Sequence, residues 1–229
     1  MRELTERNFK AITSAAKRVA PNKVVGLDAF KQTMLGWPLV ARWTGDYHTH
    51  AGMMHPLSGA FGMAELLDNP ELDMIATPHD YLYRGVGFGY EGEGIGDSAV
   101  LHNKMMFMEE DQRTYSLSDR NMGLFNALKD DAEVKAGLWR NLGMSVSRGY
   151  NTYPMDICGP SFFMDDRIQK VLADRHDVHE AAVRWERKET PSIVMVIDDW
   201  STIYEDFTLW YQYLAVIHQR IVGLSRCGV

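Results

Sequence analysis

Cysteine is almost missing from this chain. Only Cys158 and Cys227 carry a thiol, far apart and without metal-ligand spacing, which leaves no signature of a disulfide framework or a zinc ribbon. Two free thiols in a reducing compartment are the expectation. Basic clusters are lacking as well: 24 Lys and Arg stand against 31 Asp and Glu, the formal charge is -7, and a phosphate-backbone partner is not expected. No apolar run reaches the roughly 18 residues of a membrane span. The N-terminus, MRELTERNFK, has no apolar signal core. Cytoplasmic location, with neither membrane nor nucleic acid as a partner, follows as the expectation. There is no GxSxG elbow, no activated-cysteine context and no internal repeat.

Hydrophobic residues at 45% and charged residues at 24% describe an ordinary globular chain, and 229 residues suffice for a substantial core. Aromatic content, with 6 Trp, 10 Tyr and 9 Phe, is the one compositional lean, and it serves cores and carbohydrate platforms alike.

Helices and strands alternate along the chain. Phe9, Ile12, Ala16 and Val19 share a face and predict a helix over 5–19, with Thr5 as cap and Pro21 beyond its end. A short buried strand is expected at 23–30 (KVVGLDAF), a helix at 56–67, a strand at 73–77 (DMIAT) and a strand at 104–108 (KMMFM). A helix over 131–147, a weaker strand over 150–156 and a helix opened by Asp165 and Asp166 and running to Lys188 come next. The run 192–197 (SIVMVI) reads as the clearest buried strand, with a helix over 207–224 after it. Such alternation predicts an α/β fold with a parallel sheet, and the long segments after strands point to a site at strand C-terminal ends.

Three constellations could carry chemistry. Glu109, Glu110 and Asp111 crowd the end of an apolar strand, where a retaining glycosidase would place a carboxylate. Gly87, Gly89 and Gly92 have the GxGxxG spacing, but Pro78 to Arg84 separate them from the preceding strand, so a pliable site loop is expected rather than a nucleotide fold. DYHTH, Asp46 to His50, pairs His48 with His50 in a pattern that looks like the amidohydrolase and polymerase-histidinol-phosphatase superfamilies, with His55 close by and His79, His102 and Asp156 available as further metal ligands.

The segments MIATPHDYLYRG, DSAVLHNKMMFMEEDQRTYS and MDICGPSFFMDDRIQKVL resemble the family 42 glycoside hydrolases, retaining enzymes of the β-galactosidase kind. The resemblance runs from about residue 7 to the C-terminus and is most specific between Leu101 and Thr114. It implies a (β/α)8 TIM barrel of which this chain holds strands five to eight over residues 1–188, followed over 189–229 by the truncated start of a flavodoxin-like α/β domain. It makes Glu109 the catalytic nucleophile, with Asp111, Arg113 and Thr114 as its pattern neighbours, and leaves Glu110 on an open position. Substrate contacts are expected from His79, Tyr81, Arg84, His102, Asp111, Arg113, Tyr153 and Asp156, with carbohydrate as ligand and neither cofactor nor metal. Tyr153 and Pro154 stand where the relatives have a Trp-rich strand.

Strands one to four and their acid/base glutamate are not in the sequence, so a fragment or a truncated reading frame is expected, associating as a dimer of half-barrels. Two rival expectations stand beside it: a metal-dependent hydrolase built on His48 and His50, and a non-catalytic carbohydrate-binding or assembly protein that keeps half an enzyme fold.

Overall fold

The computed structural model describes residues 2–28, 63–79, 84–90, 92, 95–116, 127–156, 162–186, 193–196 and 223–227. The chain forms two compact units, each assembled from separate stretches: Met1–Thr77, Glu93–Met106 and Ile193–Arg220 in the first, Pro78–Gly92, Phe107–Ser192 and Ile221–Val229 in the second.

In the first unit, helix α1 spans Arg2–Val19. Thr5 lies inside it rather than at its cap, and the packed face is rotated from the one expected. Thr13 is buried, donating its hydroxyl to the Phe9 carbonyl at 3.0 Å and accepting from Asn69 Nδ2 at 2.9 Å. Ile12 and Val19, expected on the core face, are exposed. Strand β1, Gly26–Asp28, pairs in parallel with β2, Met74–Pro78, with Leu27 opposite Ile75. Asp73 sets where that pairing starts. Its carboxylate accepts from the Val25 N–H at 2.8 Å and from the Lys17 ammonium, and these hydrogen bonds, Lys17 first, hold it below the usual carboxylate range. A short helix α2, Met63–Leu67, buries Leu66 and Leu67. Helix α3, Gly96–Leu101, reaches the next strand through Asn103, which takes a left-handed φ of 58° in the tight turn.

Strand β3 is Met105–Glu110, so both glutamates belong to the strand rather than to a loop beyond it. In the second unit it pairs in parallel with β4, Asn151–Pro154, with Glu109 opposite Tyr153 and Glu110 opposite Pro154. Helix α4, Asp131–Arg148, joins them. Asp130 caps it by accepting from the Glu133 N–H, and Gly149, at φ 78°, closes it in the left-handed conformation that glycine adopts without strain. Helix α5, Asp166–Ala182, packs on α4. Its cap is Asp165, whose carboxyl the Arg167 side chain holds down to about 2. Between the helices Leu128, Val134, Leu138, Phe162, Phe163 and Ile168 form a buried cluster.

The architecture is α/β, with a four-stranded parallel sheet in the order β1-β2-β3-β4. Three further expectations fail. The strand expected to be buried at 23–30 is Gly26–Asp28, with Gly26, Asp28 and the preceding Val24 exposed and Leu27 only partly covered. The helix expected to reach Lys188 ends at Ala182, the last residue of its buried stripe, and Val183 and Trp185 beyond it are exposed. Residues 193–196, expected as a buried strand, are irregular, with Val194 and Val196 largely in solvent. High β-propensity makes no strand without a neighbour to pair with. The expected helices over 56–62 and 207–222 lie outside the described residues.

Candidate active site at the end of the third strand

Side chains alternate across a pleated strand, so Phe107 and Glu109 share one face of β3 while Met106, Met108 and Glu110 share the other. Glu110 faces the helices. Its two oxygens accept from the two terminal nitrogens of Arg175 on α5, at 2.8 Å for one of them, and both residues are buried. Glu109 faces the other way and is also buried, with Oε2 accepting from the Tyr153 hydroxyl at 3.2 Å. The Tyr153 ring stands 6.5 Å from that of Phe107 on the same face.

The backbone at the end of β3 is capped almost residue by residue. Because a carbonyl can only accept, His79 Nδ1 carries the proton and donates to the Glu109 carbonyl at 3.2 Å. The Glu110 carbonyl takes the Met155 N–H at 3.1 Å and the Arg113 carbonyl takes the Leu128 N–H at 2.9 Å. Arg84 holds the carbonyl of Asp111 at 2.6 Å and its carboxylate at 3.0 Å, in a pair with no solvent contact. Such a fork fixes direction as well as distance.

Burial, then the positive charge of Arg84, keeps the His79 imidazole well below its ordinary pKa, so it stays neutral with a lone pair on Nε2. Tyr90 packs beside it at 4.9 Å between centroids, and burial followed by the Glu110 charge pushes its phenol well up. Among the described residues, neither His79 Nε2 nor the Tyr90 hydroxyl has a hydrogen-bond partner.

Of the residues expected to form the site, Glu109, His79, Arg84, Asp111 and Tyr153 come together. Arg113 turns to the helix side, its guanidinium 5.2 Å from the Phe162 ring centroid. His102 is not gathered with them: it precedes β3, at the end of that strand away from Glu109, and its ring bonds the Ser98 carbonyl at 2.7 Å. Asp156 is exposed, two residues past β4. Tyr81, His48, His50 and His55 lie outside the described residues, among which no group of three His, Cys, Asp or Glu is arranged to hold a metal ion. In the described part of the glycine segment, expected as a pliable site loop, Arg140 on α4 donates to the carbonyls of Arg84, Gly85 and Phe88.

Arg140, Arg175 and Tyr90 escape a reading by motif. Arg175 nevertheless leaves a trace in the sequence, since it interrupts the apolar stripe Ile168, Val171, Leu172, Ala182 at helical spacing. A charge on such a stripe asks for a buried partner.

No family model, curated protein or solved structure matches the chain.

Proposed function

We propose that this chain carries the nucleophile of a retaining, β-galactosidase-like O-glycoside hydrolase, on parallel strands that correspond to the fifth to eighth of an eight-stranded barrel, and that Glu109 is that nucleophile. One observation carries the reading. At the C-terminal end of a parallel strand, two adjacent glutamates are sorted by the pleat: Glu110 goes to a buried arginine on the helix side, and Glu109 goes to the opposite face beside a tyrosine hydroxyl. Strand C-terminal ends are where barrels and open parallel sheets place chemistry. A tyrosine hydroxyl steadies a carboxylate without neutralising it, which suits a group that must attack an anomeric carbon.

On this reading His79, Arg84 and Asp111 act on the end of the strand, and the sugar meets Glu109 and Tyr153. A retaining mechanism also needs a second carboxylate about 5 to 5.5 Å from the first. Glu110 and Asp111 are each engaged by an arginine, so neither serves, and the acid/base comes from elsewhere.

A probe whose leaving group needs no protonation isolates the nucleophile's share. With 2,4-dinitrophenyl 2-deoxy-2-fluoro-β-galactoside, a Glu109 oxygen bonds to C1 while the C1–O bond breaks and dinitrophenolate departs with the electron pair. The expected result is one fluoroglycosyl group per chain, on the peptide holding Glu109, and none on the Glu109→Gln protein. Labelling that persists in Glu109→Gln, or no labelling of the folded chain by the galactosyl, glucosyl or mannosyl probe, overturns the reading.

A further inference from the structure

Arg140, half-buried, differs from Arg84 and Arg175, the two buried arginines among the described residues of the second unit. Arg84 and Arg175 each meet a carboxylate, whereas Arg140 spends its hydrogen bonds on carbonyl groups. A guanidinium has five N–H bonds in a rigid fork. Here Nε donates to Asn141 Oδ1 at 3.1 Å, one terminal nitrogen to the Gly85 and Phe88 carbonyls at 2.6 and 3.0 Å, and the other to the Arg84 carbonyl and Asn141 Oδ1 at 3.0 and 2.9 Å. All five are used. The carbonyls come from a segment with a left-handed turn at Gly87, which by its own sequence has many conformations open to it. The Tyr90 ring at the end of that segment lies under the same guanidinium, 5.9 Å from it.

The segment bears on β3 through Arg84. Its carbonyl is held by Arg140, and its side chain holds both the carbonyl and the carboxylate of Asp111, two residues past Glu109. We infer that Arg140 is a positioning residue for Glu109: by fixing the backbone from Arg84 to Phe88 it presents the Arg84 fork to Asp111, and so sets the direction in which the end of β3 carries its carboxylate. The inference rests on the reading of Glu109 as nucleophile, and it adds a residue on α4 that never touches the sugar. Lysine cannot replace it, because three donors on one nitrogen do not span three carbonyls.

The test uses the full chain and the variants Arg140→Lys and Arg140→Met. Amide hydrogen exchange is read first. The expected change is faster exchange by about tenfold or more over 84–90 and 109–114, since several hydrogen bonds are lost, with α5 unchanged. Labelling by the fluorogalactosyl probe is read second, as a limiting rate and a half-saturating concentration. A misdirected nucleophile lowers the limiting rate by roughly ten- to a hundredfold and leaves the half-saturating concentration in place. Unchanged exchange at 109–114 overturns the inference whatever the labelling shows. Faster exchange with an unchanged limiting rate overturns it too, by making Arg140 structural only. If the native chain takes no label while the exchange pattern is as expected, the reading of Glu109 falls, and Arg140 keeps its hold on the strand end without a catalytic consequence. Should neither variant fold, Arg84→Lys, which keeps the Arg140 contacts and removes the fork, must loosen 109–114 alone, and failure to do so overturns the inference.

Discussion

At Glu109 and Glu110 a single peptide bond separates two identical side chains that the strand sends to opposite faces, and the consequences for stability differ. Glu110 and Arg175 form a pair with almost no solvent contact. Removing one partner of such a pair leaves a buried charge and costs about 3 to 5 kcal/mol, while replacing both with apolar groups of similar size is often close to neutral. Urea unfolding of Arg175→Met is therefore expected to show a loss in that range, and Glu110→Leu/Arg175→Met to recover most of it. Glu109→Gln keeps the shape at its site and should unfold close to wild type. A double variant as unstable as Arg175→Met would mean that the pair contributes through something other than mutual neutralisation. The pattern Glu109, Asp111, Arg113, Thr114 singles out Glu109 in the sequence, but the buried partner of Glu110 was not legible, because Arg175 lies 65 residues away and only the folded chain brings it to Glu110.

Among the elements, α4 and the start of α5 were legible because their caps are local. Asp130 and Asp165 stand where the sequence signals a start, and α4 ends at Gly149. Strands were placed less well, since strand composition does not specify a pairing neighbour, and residues 193–196 of the run expected at 192–197 are irregular and exposed. The face of α1 was misjudged for a related reason: Thr13 is buried by bonding Asn69, 56 residues on, which an apolar-only periodicity cannot detect. A glycine inside α4 and the one that caps it give a test of opposite signs. Gly143 is exposed inside the helix with open space where a Cβ would stand, so Gly143→Ala should stabilise by about 0.5 to 1 kcal/mol. Gly149 sits at φ 78°, where an L side chain meets the following carbonyl, and Gly149→Ala should destabilise by about 1 to 2 kcal/mol. Thermal melts of the two variants should move in opposite directions, and a gain from Gly149→Ala would contradict the left-handed cap.

Across the whole molecule the parallel sheet with consecutive strands side by side was legible from the alternation of helix and strand, and the interleaved make-up of the two compact units was not. Contact between distant stretches of chain leaves no mark in composition. Sheet order has a consequence for association. Among the described strands, β1 and β4 each have a strand neighbour on one side only, and each therefore has one row of backbone N–H and C=O groups outside the described ladders. Rows of that kind template pairing with another chain. Pro154 blunts β4 by removing one donor, whereas β1 has no proline over Gly26–Asp28, so β1 is the edge more open to addition. Exposed apolar side chains at Val194 and Val196 add surface that gains from being covered. A closed twofold dimer is the commonest way for one chain to cover such features with a second copy of itself. Light scattering coupled to size exclusion should accordingly give a mass near twice the 26.1 kDa of the chain. Asp28→Pro, which removes a donor from the free edge of β1, should shift that mass toward the monomer if β1 carries the contact. A monodisperse species at the single-chain mass that melts in one cooperative step would defeat the expectation, because the edges would then have to be covered from within the chain.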